Sequence, residues 1–144
     1  MATAFPASPI DAPVDVQNFA MPQDRARLSG VALKAFQALA REWKLSNAEA
    51  AALLGVSEST WDRIKRAKWG QPLSQDQLTR ASAAIGLYKG LHLLFADAMA
   101  DRWPRLANSG PLFGRKSPIE AMIDGGIPVM LEARRYVDAV RGGL

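Results

Sequence analysis

The chain has 144 residues, a net charge of +4 and a sequence pI near 9.8, with 49% hydrophobic and 22% charged residues, one histidine and no cysteine. That size and balance allow one small domain with a buried core, or two short ones, and exclude both a large multidomain enzyme and a wholly disordered chain. Without cysteine there is no disulfide, thiolate metal site or cysteine nucleophile, and His92 alone builds neither a multi-histidine zinc site nor a catalytic pair.

Residues 1 to 22 hold Asp11 and Asp15 and no base, which leaves 18 bases against 12 acids from residue 23 onward, a balance that suits an anionic partner. The same stretch carries Pro6, Pro9, Pro13 and Pro22 among small residues and reads as a flexible, Pro-rich arm. It lacks the basic start and long apolar run of a secretory signal. No later run approaches the ~20 apolar residues of a membrane span, so the expectation is a cytoplasmic protein without a membrane partner.

From Asp24 onward the pattern is helical, with Leu28, Ala32, Ala35 or Phe36, Leu39 and Trp43 three or four residues apart. Ser46 with Glu49, Ser74 with Gln77, and Ser117 with Glu120 each place a hydroxyl three residues before an acid or amide. These are capping boxes, and they predict helices starting at 47, 75 and 118, the last with Pro118 at its first position. The segment from Gln75 to about Trp103 is apolar on more than one face, and Gly86 and Gly90 in it either bend a helix or admit a close neighbour. Its surplus of apolar surface points to dimerisation, with burial under the C-terminal helices as the competing explanation. Gly125 and Gly126 end the helix from 118, and Pro128 opens another with a stripe of Val129, Ala133, Tyr136 or Val137, and Val140. No strand-like alternation and no internal repeat competes, so the expected fold class is all-α.

Within 47 to 66 a short helix meets Gly55, then Ser57 caps a second helix. Ala51 permits close approach, Gly55 a left-handed turn, and Val56, Trp61 and Ile64 bury the second helix. The stretch AEAAALLGVSESTWDRIKR resembles the helix-turn-helix of Xre-type, or Cro and repressor-like, transcription factors. That resemblance implies that Ser57, Glu58, Ser59, Asp62, Arg63 and Arg66 face the major groove of operator DNA, Ser and Arg donating to phosphates or guanine edges. Glu58 and Asp62 oppose phosphate and suit cytosine amino groups, and a dimer on two half-sites would compensate for them. Arg63, Lys65, Arg66 and Lys68 equally complement the dipole at the end of a solvated helix.

Residues 103 to 144 resemble the toxin-binding domain of the Xre/MbcA/ParS antitoxins through Trp103, Pro111, Phe113, Gly114, Pro118, Met122, Gly126, Val129 and Gly142. Gly110 stands where that family commonly has Asn, and Arg115 where it has a second Gly. The resemblance divides the chain into the arm (1–22), a helix-turn-helix region (23–73), connecting and dimerising helices (74–102) and a toxin-binding domain (103–144). It implies the antitoxin of a type II pair whose partner is a RES-domain, NAD-consuming toxin. Such an antitoxin covers the toxin's NAD pocket with its C-terminal helix and represses its own operon as a dimer within a larger complex. Tyr136, Val137 and Val140 would supply apolar contact, Arg134, Arg135 and Arg141 charge pairing, and Gly142, Gly143 and Leu144 a threading tail.

Two other classes compete with this reading. A solitary helix-turn-helix regulator with a ligand-binding or dimerising C-terminal domain keeps the DNA reader without the toxin. An enzyme has little to stand on: His92 reads as a half-buried packing residue, Glu120 as a cap and Asp124 as a helix end, so no catalytic residue, metal or cofactor is assigned. Trp43 and Trp61 read as core, while Trp69 and Trp103 are open between core and partner contact.

Overall fold

The computed structural model describes residues 19–142. Seven α-helices follow in order: α1 (Pro22–Glu42), α2 (Asn47–Leu54), α3 (Glu58–Lys65), α4 (Gln75–Leu94), α5 (Asp97–Arg102), α6 (Pro118–Gly125) and α7 (Ile127–Gly142), with a 3-10 turn at Trp103–Arg105. Among the described residues there is no strand, as the all-α expectation required.

All three capping boxes form. The Ser46, Ser74 and Ser117 hydroxyls each accept from the backbone N–H three residues on at 3.1 Å, and Glu49, Gln77 and Glu120 accept in return from the serine N–H groups at 2.9–3.0 Å. Each box satisfies two otherwise orphaned amide donors, which is why α2, α4 and α6 start where they do. Of the expected arm, residues 1–18 lie outside the described residues, whereas Pro22 belongs to α1 as its first residue, where its missing N–H is harmless.

The core centres on Phe36, Trp43, Leu53, Leu54, Leu78, Leu87 and Leu91, all at or below 1% exposure. On α1 the inward stripe is Leu33, Phe36, Leu39 and Ala40 rather than one including Leu28 and Ala32, which are only half-buried. Ser29 is buried with them: its hydroxyl donates to the Arg25 carbonyl at 2.5 Å and accepts from the Leu73 N–H at 2.7 Å, tying α1 to the start of α4.

The apolar stretch from Gln75 to Trp103 is two helices. Phe95 turns extended (φ −122°, ψ 160°), and His92 reaches across the break to Asp97 (Nδ1, 3.0 Å) and Asp101 (Nε2, 2.8 Å) of α5. The second apolar face of α4 is covered by α7 of the same chain. A Cβ at Gly90 would lie 3.0 Å from Val137 Cγ1, so the glycine admits the valine. Part of the apolar surplus over 74–102 is thus buried within the chain, while Leu93 stays 68% exposed. Trp103, Phe113, Ile119, Met122 and Met130 join the same cluster as Phe36 and Trp43, so the elements from Trp103 to α7 share one core with the N-terminal helices.

Candidate functional site

The turn between α2 and α3 is built on Gly55, whose φ of +80° is a left-handed conformation in which a Cβ is strained. Its N–H and that of Val56 both donate to the Ala51 carbonyl, at 2.9 and 3.0 Å, closing α2. Ser57 then caps α3, accepting from the Thr60 N–H at 3.1 Å. Trp61 and Ile64 turn inward, Trp61 meeting the edge of Phe36 at 5.6 Å and 90°, and this locks α3 onto α1. One helical side therefore remains for solvent, and it carries the six expected DNA-facing residues.

Those six differ in what they have to offer. Ser57 is occupied by its capping role, and Asp62 is paired with Arg66 at 3.1 Å, so its carboxylate is partly neutralised within the helix. Ser59 and Glu58 are exposed. Arg63 stands with its guanidinium 5.2 Å above the ring of Trp69, a cation–π contact that orients it. Trp69, left open by its sequence context, is half-buried beneath that arginine. Beside α3 lies a cleft of about 350 Å³ lined by Arg41 and Lys44 from the end of α1, Asn47 at the start of α2, and Lys65, whose Nζ donates to Asn47 Oδ1 at 2.6 Å. Arg41, Lys44 and Asn47 were not among the expected site residues, because only the fold brings the end of α1 beside α3.

Arg105, in the 3-10 turn, clamps this region from the C-terminal side. Its Nε donates to the Trp43 carbonyl at 2.7 Å, and Nη2 donates to the Lys44 carbonyl and to Glu49 Oε1, both at 2.6 Å. Lys44 has a left-handed φ of +54°, so this arginine receives the last carbonyls of α1 at a strained exit. The Arg105 hydrogen bond is the main reason that the Glu49 carboxyl lies below its ordinary pKa, desolvation working against it.

At the other end, α7 sorts the expected toxin contacts. Val137 is 2% exposed and sits over Gly90, so it is a core residue; a contact assignment for it is corrected by the place Gly90 makes for it. Arg134 lies across Gly86. Arg135 pairs with Glu132, and Arg141 with Asp138 at 3.4 Å. Tyr136 and Val140, one turn apart, are 43% and 39% exposed, and the tyrosine ring stacks at 6.4 Å on Trp103 and edge-on to Phe113. Trp103 is itself in the core. Gly142 is exposed at the end of the helix, and Gly143 and Leu144 lie outside the described residues.

Residues 22–86 match the model of the antitoxin Xre-like helix-turn-helix domain. The uncharacterized protein y4oB of Sinorhizobium fredii is 34% identical over 113 residues, which cover 77% of this chain and 84% of that protein. The chain belongs to one family with y4oB and carries an antitoxin Xre-like helix-turn-helix domain. The matched span runs from the first turn of α1 to Gly86 of α4, so it includes the Gly55 turn, α3 and the elements that bury them. His92, expected as a packing residue, also has a second role: burial lowers its pKa, but the hydrogen bonds and charges of Asp101 and Asp97 outweigh that and hold it above the ordinary value. Among the described residues no group of three or more His, Asp and Glu side chains is placed to hold a metal ion, and no helix is long and apolar enough to cross a membrane.

Proposed function

We propose that this chain neutralises a RES-domain, NAD-consuming toxin by laying α7 and the residues after it over the toxin's NAD pocket, and that it represses its own operon as a DNA-binding dimer. The observation that carries this reading is the pairing, on one core, of an antitoxin-type helix-turn-helix with a C-terminal helix whose outer face keeps Tyr136 and Val140 exposed. An aromatic and a β-branched residue one turn apart, flanked by Arg135 and Arg141, form an apolar centre with a charged rim, as binding surfaces commonly do. Arg134 lies further round the helix and adds charge at its edge.

For DNA, Arg63 and Ser59 are the readers best placed to donate to base edges, with Glu58 available to a cytosine amino group. Ser57, Asp62 and Arg66 support them, the first by capping and the other two as a pair. The cleft of Arg41, Lys44, Asn47 and Lys65 would receive backbone phosphate, which positions a reader without specifying sequence.

The reading requires a RES-domain toxin gene beside this one, and co-expression with that toxin tests the toxin half. Val140→Asp, which leaves the core intact, should reduce co-purification of the toxin at least tenfold without changing the melting temperature by more than about 2 °C, since surface substitutions lie within about 0.5 kcal/mol. Undiminished co-purification of this variant would move the contact off this face.

A further inference from the structure

Helices α1, α4 and α7 leave between them a groove of about 480 Å³ away from the α2–α3 turn, sharing only Arg134, at its edge, with the surface proposed for the toxin. Its lining is apolar along most of its length, through Leu28, Val31, Ala32 and Ile85, and Val31 is 69% exposed there. Phe19 also lines it. Two cations, Lys89 and Arg134, complete the lining. Leu78, Ser82, Ile85 and Lys89 follow one another along one face of α4, so Lys89 stands at the end of that row.

Neither cation is neutralised by a close partner. The Lys89 side chain makes no hydrogen bond or ion pair among the described residues. Arg134 has only long contacts, 3.5 Å from Nη1 to the Ser82 carbonyl and 3.9 Å from Nε to Asp138. The position of Arg134 depends on Gly86, where a Cβ would fall 2.5 Å from both Cζ and Nε of the guanidinium. The observed place of the guanidinium thus lies directly over the glycine, and a side chain there would displace it.

A volume of this size is within the range of small-molecule pockets, about 300–1,000 Å³. An extended peptide would bring amide N–H and C=O groups onto a lining where, apart from the two cations, only Ser82 offers a polar side chain, and unpaired amides are costly. A hydrocarbon chain brings no such groups. A carboxylate at its end would meet an arginine that can donate from two nitrogens and a lysine point charge. We propose that the groove binds a small amphipathic carboxylate, its acyl chain along Leu28, Val31, Ala32 and Ile85 and its head group at Lys89 and Arg134.

Isothermal titration calorimetry on the full chain tests this with decanoate, decanol and decyltrimethylammonium as probes. The proposal requires saturable one-to-one binding of decanoate, at least tenfold weaker binding of decanol, and no binding of the cation. Lys89→Glu and Val31→Asp, on the rim and in the lining, should each weaken decanoate at least tenfold while melting as the parent does. Absence of saturable decanoate binding, equal affinity for decanol, or binding unchanged in both variants would overturn it. So would decanoate binding that appears only after residues 1–18, which carry Asp11 and Asp15, are removed, since that segment would then be the occupant. Sedimentation showing a dimer that Val31→Asp dissociates would give the groove to a second copy and overturn it as well.

Discussion

Replacing Arg105 with alanine removes one side chain and four contacts: the Trp43 and Lys44 carbonyls and both oxygens of Glu49. The two carbonyls end α1 and lose a charged donor, about 1 kcal/mol each for partly exposed hydrogen bonds. The ion pair is itself screened, with the Arg105 and Glu49 side chains 37% and 27% exposed, and contributes about 0.5–1 kcal/mol. The expected loss is therefore about 2–3 kcal/mol, or roughly 5–10 °C in melting temperature for a chain of this length. Glu49→Gln keeps an oxygen for the Ser46 cap and removes only the charge, so it should cost about 0.5–1 kcal/mol. Urea unfolding of the two single variants and the double variant separates the terms. In 1 M salt the Glu49→Gln penalty should shrink while most of the Arg105→Ala penalty persists. The pH dependence has a definite sign: because the folded Glu49 pKa is lowered, the pair's contribution is present above about 4.5 and is lost as pH falls through the folded value. Arg105→Ala should therefore flatten the acid limb. An Arg105→Ala chain within 0.5 kcal/mol of the parent, or a Glu49→Gln chain equally destabilised, would refute the clamp.

The backbone makes a paired prediction. Gly55→Ala should destabilise by about 1–2 kcal/mol because φ is left-handed there, whereas Ala67, at φ +58° after α3, should gain up to about 1 kcal/mol as glycine; thermal denaturation reads both. For His92 the pKa is raised, so its bridge to Asp97 and Asp101 contributes fully below about pH 6.5 and fades as pH rises through the folded value. His92→Gln should abolish that slope in stability measured between pH 5 and 9, and a parent chain equally stable across the range would contradict it. On DNA from its own operon, Arg63→Ala should cost about 1–3 kcal/mol with relaxed specificity, while Lys44→Ala should weaken all sequences alike and reduce the salt slope by about 1. Mobility shifts at several salt concentrations distinguish the two.

Local chemistry was legible and long-range geometry was not. The three capping boxes and the Gly55 turn involve residues within a few positions of one another, so spacing alone located α2, α4 and α6 and the start of α3. The outward side of α3 followed from helical periodicity once Trp61 and Ile64 were placed inside. The break at Phe95 has neither glycine nor proline to announce it, since it is held by His92 reaching to α5. On α7 the pattern left Tyr136 or Val137 as the inward residue, and Gly90, far away in sequence, decides for Val137. The Arg105 clamp and the cleft at Arg41 and Lys44 likewise join residues that only the folded chain brings together.

The antitoxin reading, which requires a RES-domain toxin gene beside this one, is tested most directly by NAD consumption of that toxin, measured alone, with the full chain, and with a chain ending after Ala139. The account predicts inhibition by the full chain that is lost on truncation, placing the block in the last five residues, from Val140 to Leu144. Inhibition by both forms would keep the antitoxin role and move the block onto the preceding turns of α7. A toxin that neither form binds nor inhibits would contradict the account and leave a helix-turn-helix regulator acting on DNA alone.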